Sequence, residues 1–191
     1  ATGAAARYLR RLTAYRAYGL LGQSIAPLAL ERLLAAAAAC VTLPDLGPLV
    51  VGTLCSGMDA VITALRALGW KHTHAFAAEV DPDARAFQRA VRRPRRLHGD
   101  CTDPAVVDGA PPCDLLVAGW PCQPYCGLNQ ATTRATRAES MRVLRAIVAY
   151  VRRCLPTLVI LEQTDALATD PRWAHQFKTV KCELRRLEAY V

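Results

Sequence analysis

Leu49-Val-Val-Gly-Thr-Leu54, then Cys55-Ser-Gly-Met-Asp59, then Ala60-Val-Ile-Thr-Ala-Leu-Arg-Ala-Leu68 is the stretch that decides the fold. A short continuous apolar run, a turn of small residues and an apolar-periodic segment from about Asp59 to Leu68 read as strand, turn and helix. The strand shows no alternation, so it is expected to be buried on both faces. The pattern repeats downstream. His74-Ala-Phe-Ala-Ala78 reads as a second strand, with a helix from Asp81 to Val91 capped by Asp81. A third strand lies around Leu97-His98, Asp114-Leu-Leu-Val-Ala118 is a fourth, and Leu158-Val-Ile-Leu161 a fifth. Between the last two, Glu139 to Cys154 carries Met141, Leu144, Ile147, Val148 and Val151 at helical spacing, and Trp173 to Leu187 reads as a closing helix. Buried strands alternating with helices predict an α/β fold with a mostly parallel sheet covered by helices on both faces.

Upstream of this core, residues 7–42 read as helical, with Leu28, Leu30, Leu33 and Leu34 on one side and Ala35–Ala39 as strong helix formers. Pro44, Gly47 and Pro48 break the chain before the first strand. We therefore expect one domain over residues 1–191, made of an N-terminal helical segment (1–43) and a core (49–165).

Composition narrows the function classes. The 191 residues are 52% hydrophobic and 21% charged, a globular balance. Lys+Arg 24 against Asp+Glu 16 leaves a net charge of +8, and the only lysines are Lys71, Lys178 and Lys181. An arginine excess suits bidentate phosphate and guanine contacts, although arginine usage set by a GC-rich genome explains composition equally well. The eight cysteines include no Cys-x-x-Cys pair, which argues against a structural zinc site and for reduced thiols in an intracellular compartment. The longest apolar stretch, Leu33 to Leu43, is too short to span a bilayer, and no signal peptide opens the chain. Membrane, secreted, fibrous and disordered classes are not expected. Arg92-Arg93-Pro94-Arg95-Arg96 reads as a solvated loop.

In an open parallel sheet, ligands bind beyond the carboxyl ends of the strands. The residues expected there are the Cys55–Asp59 turn, Glu79, Gly99-Asp100, Gly119-Trp120-Pro121-Cys122-Gln123 and Glu162. Singly, each has an ordinary structural explanation. Glu162, an acid ending a buried strand, is the hardest to explain that way. Pro121 would fix the backbone that presents Cys122.

Asp114-Leu-Leu-Val-Ala-Gly-Trp-Pro-Cys-Gln-Pro-Tyr-Cys126 resembles the Pro-Cys-Gln motif of the DNA (cytosine-5)-methyltransferases. Leu54-Cys-Ser-Gly-Met-Asp-Ala60 resembles their S-adenosylmethionine loop, Glu79-Val80 their ribose-binding acid, Gly99-Asp100-Cys101 their adenine-contacting position, and Leu161-Glu-Gln-Thr164 their Glu-Asn-Val motif. Intervals of 22, 21, 22 and 40 residues separate Gly57, Glu79, Asp100, Cys122 and Glu162, in the family's order. Leu20-Leu-Gly-Gln-Ser-Ile-Ala-Pro27 resembles the family's Gly-Asn-Ser-Val-x-Pro segment, which there closes the domain; here it precedes the first strand, as in a circular permutation.

The resemblance implies a Rossmann-like S-adenosylmethionine-dependent fold and transfer of a methyl group to C5 of cytosine in DNA. Cys122 would be the nucleophile at C6 and Glu162 its acidic partner on the base. Leu54, Cys55, Ser56, Gly57, Met58, Glu79, Val80, Asp100, Cys101 and Pro121 would bind the cofactor, joined by Gln23 and Ser24 from the displaced segment. Gln123 and Gln163 would meet the substrate, a base flipped from its stack, and Arg92 to Arg96 or Arg134 and Arg137 would touch phosphates. DNA as substrate would place the protein in a nucleus or nucleoid.

The sequence departs from the family pattern at Asp59 and Ala60, where glycines are usual, at Cys126 for serine and at Gln163 for asparagine. No Gln-x-Arg-x-Arg segment and no target-recognition region is found in these residues. Two alternatives therefore stand: an RNA cytosine-5 methyltransferase, and a catalytically impaired regulatory homologue that binds cofactor or DNA.

Overall fold

The computed structural model describes residues 2–22, 24–40, 47–126 and 132–188. Five strands form the sheet: β1 (Leu49–Leu54), β2 (His72–Ala78), β3 (Arg96–His98), β4 (Leu115–Gly119) and β5 (Leu158–Glu162). All pairings among them are parallel, in the order β3-β2-β1-β4-β5. The chain winds outward from β1 through β2 to β3, then crosses back to β4 on the other side. The order therefore reverses between β1 and β4, the place where an open α/β sheet leaves a crevice at its carboxyl edge. Register brings Leu54 beside both Ala78 and Ala118, and Gly119 beside Glu162.

Both faces of the sheet are covered. On one, Phe76 and Leu116 pack with Leu144, Ile147 and Tyr150 of α7 (Arg134–Cys154). On the other, Val51, Leu115, Val117 and Ile160 meet Val61, Ile62 and Leu65 of α4 (Ala60–Ala67) and Leu30 and Leu34 of α3 (Pro27–Ala38). Leu34 and Leu65 have no exposed surface, so α3 is part of the core rather than an appendage.

Helix boundaries follow local chemistry. The stretch read as helical over 7–42 consists, in its described part, of α1 (Thr2–Leu9), α2 (Ala14–Gly22) and α3, with Pro27 at the first turn of α3, where its missing N–H costs nothing. Asp81 caps α5 (Pro82–Phe87), accepting the Ala84 N–H at 2.8 Å. That helix continues as a π-turn through Gln88–Arg92, and α6 (Pro104–Val107) follows β3. The long helix begins five residues before Glu139, because Thr133 at the N-cap and Thr136 in the first turn form a reciprocal capping box. After α8 (Ala166–Thr169), a single 3-10 turn, Pro171–Trp173, leads into α9 (Ala174–Glu188). No described helix is long and apolar enough to cross a membrane.

Candidate active site

The turn after β1 is tightly wound. Cys55, Gly57 and Asp59 all adopt left-handed backbone, at φ 50°, 51° and 52°, and only the glycine does so without steric cost. Gln88, fully buried, holds the turn: its amide donates to Ser56 Oγ at 2.8 Å and to the Gly57 carbonyl at 2.6 Å. The Ser56 hydroxyl passes the chain on to the Ala78 carbonyl at 3.1 Å. Arg92 Nε donates to the Met58 carbonyl at 2.8 Å and its guanidinium lies over Phe87, so the first arginine of the basic run is a structural clamp rather than a solvated charge. The Met58 side chain packs with Leu20, Ala84 and Phe87, in the core rather than on the cavity wall.

Beyond β2, the buried Glu79 carboxylate accepts the Gly57 N–H at 2.7 Å and the Asp81 N–H at 2.8 Å. Val80 beside it is 67% exposed. Beyond β3, Asp100 accepts the Thr102 N–H and hydroxyl, each at 2.8 Å, and a guanidinium N–H of Arg142 at 3.2 Å. Although burial pulls the other way, these donors hold the Asp100 carboxyl below its usual range. Arg142 also pairs with Glu139 at 2.7 Å, so one helical arginine joins two acids. The sulfurs of Cys55 and Cys101 lie 3.7 Å apart, and the shared hydrogen bond raises the Cys55 thiol and lowers that of Cys101.

The loop after β4 is fixed from three directions. Buried Ser140 donates to the Pro121 carbonyl at 2.8 Å, Gln163 donates to the Trp120 carbonyl at 3.3 Å, and the Cys122 carbonyl accepts the N–H groups of Tyr125 at 2.8 Å and Cys126 at 3.2 Å. The extra methylene of Gln163 thus still reaches the loop, while its own Oε1 accepts the Thr164 N–H at 2.9 Å. Burial pushes the Cys122 thiol up to about 11, with Cys126 and the Glu162 charge adding to the rise. Burial also raises the Glu162 carboxyl. Glu162 stands close over Gly119: a Cβ there would lie 2.8 Å from Glu162 Oε2, so a larger residue would displace the carboxylate.

These groups share one space. A cavity of about 680 Å³ along the carboxyl edge of the sheet is lined by Cys55, Gly57, Glu79, Val80, Asp100, Cys101, Pro121, Cys122, Gln123 and Glu162 among others. A second cavity of about 40 Å³ abuts it, sharing Cys55, Gly119 and Glu162, and is walled by Ser24, Leu54 and Ser56. Gln163 lines neither; Gln23 lies outside the described residues. Gln88, Ser140 and Glu139 build the site without carrying a sequence motif, since each reads as an ordinary polar position on an amphipathic helix.

An all-parallel sheet with its order reversed beside a large cavity, an acid after β2 and a second after β3 is the arrangement of a Rossmann-like S-adenosylmethionine-dependent methyltransferase fold. Residues 50–191 match the family model of the C-5 cytosine-specific DNA methylases, and the chain belongs to that family. Among solved structures, it is similar to the crystal structure of the S. pombe Dnmt2 methyltransferase, at 16% identity and a TM-score of 0.45, covering 70% of this chain and 39% of that one. It is also similar to the rRNA methyltransferase aviRa from Streptomyces viridochromogenes, at 15% identity and a TM-score of 0.42, covering 66% of this chain and 70% of that one. This chain therefore spans about two fifths of the S. pombe protein's structure. No curated protein matches the sequence.

The family's methyl donor is S-adenosylmethionine, and the residues present fit it. The larger cavity falls in the range of about 300–1,000 Å³ usual for small-molecule sites. Glu79, oriented by two backbone N–H groups, keeps lone pairs for ribose hydroxyls.

Proposed function

We propose that the chain carries the cofactor-binding and catalytic portion of an enzyme that methylates C5 of cytosine in DNA, with Cys122 as nucleophile and Glu162 as its partner on the base. The observation that carries this reading is that both side chains stand on the wall of the cavity that also holds Glu79 and Asp100. Cytosine C5 is a weak nucleophile. Addition of the Cys122 thiolate to C6 turns the C5–C6 double bond into an enamine-like carbanion equivalent at C5. Glu162, its carboxyl raised by burial, would hydrogen-bond the ring at N3 and the exocyclic amino group, offsetting charge as sulfur adds. Bound S-adenosylmethionine supplies the electrophilic methyl group. Removal of the C5 proton by a base then re-forms the double bond and expels the Cys122 thiolate.

The loop contacts suit this role. Ser140 and Gln163 hold the backbone on either side of Pro121, so the Cys122 sulfur is presented from a fixed support. Because the thiol stands near 11, it is largely protonated in the free chain at neutral pH. The target base must leave its stack to enter the cavity, and DNA as substrate places the enzyme in a nucleus or nucleoid.

The N-terminal segment takes the position we infer for the family's closing segment. Leu30 and Leu34 of α3 pack on α4, and Ser24 and Ile25 reach the wall of the smaller cavity beside the β1 turn. A circularly permuted arrangement accounts for both contacts.

Labelled methyl transfer to cytosine-containing DNA and RNA of matched sequence tests the substrate. 5-Methylcytosine formed in DNA is the expected product; labelling of RNA alone would assign the chain to RNA instead.

A further inference from the structure

The N-terminal helices carry a surface that neither the sequence motifs nor the mechanism uses. Residues 1–30 hold Arg7, Arg10, Arg11 and Arg16 but no acid, whereas the whole chain carries 16 acids against 24 basic residues. A genome-wide taste for arginine raises the number of cations, but it does not sort the acids away from one segment. The segment is a local source of positive potential.

Its inner side is fixed to the core. Tyr8 of α1 meets the Phe87 ring edge-on, with 5.4 Å between centroids, and Leu20 of α2 is buried with Met58, Ala84 and Phe87. Arg16 pairs with Asp83 at 3.4 Å, tying α2 to α5. The outer side faces solvent. Tyr15 is 89% exposed, Tyr18 74% and Leu21 49%, at three-residue spacing on the side of α2 away from Leu20. Arg10 and Arg11, in the turn between the two helices, are exposed as well.

The place of this face beside the site indicates its partner. Leu20 lines the larger cavity, as does Val80, so α2 stands at the rim of the space that holds Cys122 and Glu162. A base entering that cavity stays joined to flanking nucleotides. Exposed arginines beside aromatic rings suit such a strand, since guanidinium groups neutralise phosphates and rings stack on unpaired bases. An anionic membrane would attract the same arginines, but it also needs a broad apolar face to enter it. Here Leu9, Leu12 and Leu20 are turned toward the core instead.

We propose that the outer face of α1 and α2, carried by Arg10, Arg11, Tyr15 and Tyr18, is a docking surface for a nucleic-acid strand. The arginines pair with its phosphates and the tyrosines stack on its unpaired bases. This deepens the reading above and rests on its nucleic-acid substrate.

The test is fluorescence anisotropy of the whole chain with a labelled single-stranded DNA, the RNA of the same sequence and the DNA duplex, across a range of salt concentrations. The wild type binds the single strands, and the arms separate DNA from RNA. Tyr15→Ala and Tyr18→Ala each weaken single-strand binding by about 5- to 100-fold with the salt dependence unchanged, and Tyr18→Trp restores it. Arg10→Ala combined with Arg11→Ala instead lowers the slope of log affinity against log salt by about 1.4. Urea unfolding midpoints stay at the wild-type value throughout, because these side chains are exposed. Folded variants that bind the strands as tightly as the wild type overturn the docking surface and leave the catalytic reading standing. A wild type that binds no oligonucleotide overturns the surface and the nucleic-acid substrate together. Binding to phosphatidylserine vesicles in its place would assign the face to a membrane.

Discussion

The carboxylate of Glu79 accepts the backbone N–H of Gly57 at 2.7 Å, so the acid that ends β2 is tied directly to the turn that ends β1. One side chain thus shapes the loop and lines the larger cavity. Replacing Glu79 with alanine removes both functions. S-Adenosylhomocysteine should bind about 10- to 100-fold more weakly to Glu79→Ala by calorimetry. An affinity within twofold of wild type would show that the cavity does not hold the ribose at this acid.

Gly119 and Glu162 stand opposite each other in the register of β4 and β5. The 2.8 Å approach of a Cβ to Glu162 Oε2 leaves no room for alanine without moving the carboxylate. Gly119→Ala should therefore lower the rate of methyl transfer at least about tenfold while the fold persists, since misplacing a catalytic group by an ångström costs on the order of 100-fold. A wild-type rate would mean that Glu162 does not act on the base from this position.

The Cys122 thiol, held near 11 by burial and by its neighbours Cys126 and Glu162, is almost wholly protonated at neutral pH. Because the thiolate is the reactive form, alkylation of Cys122 by iodoacetamide should accelerate about tenfold per pH unit from pH 7 to 10. Peptide mass spectrometry separates Cys122 from the other cysteines. A rate that levels off below pH 9 would show a thiol already activated in the free protein.

Asp59 and His74 couple stability to pH in opposite directions. Burial raises the Asp59 carboxyl from 3.8 to about 7, so its favourable contribution is fully present below 3.8 and is lost as pH rises through 7. The His74 imidazole is depressed from 6.5 to about 4, so its contribution is present above 6.5 and is lost as pH falls through 4. Asp59→Asn removes only the first of these. Relative to wild type, the variant should be more stable at pH 8 than at pH 5 by about 2 kcal/mol, read from urea unfolding at both values. A difference between variant and wild type that does not change with pH would contradict a carboxyl raised by burial at this position.

Much of this architecture was legible in the residues because it is local. Continuous apolar runs mark Leu49–Leu54 and Leu115–Gly119 as doubly buried strands, and the carboxyl-edge rule then points to Glu79, Asp100, Cys122 and Glu162. What escaped was long-range. Gln88 and Ser140 look like ordinary polar positions on helices, and only folding brings them under Ser56 and Pro121. Arg92 reads as one of a run of surface charges, yet its neighbour across the fold is a carbonyl 34 residues away. Asp59 departs from the family's glycine in sequence, but its burial beside a cavity exists only once α3 and α4 have packed.

Covalent trapping on DNA containing 5-fluorocytosine tests the central claim most directly. Fluorine at C5 cannot leave as a proton does, so a competent enzyme stalls with sulfur bonded to C6. The expected result is a protein–DNA adduct that requires S-adenosylmethionine and disappears in Cys122→Ala. An adduct that survives this substitution, or none at all when cofactor binding is measurable, would contradict Cys122 as the nucleophile of a cytosine-5 methyltransferase.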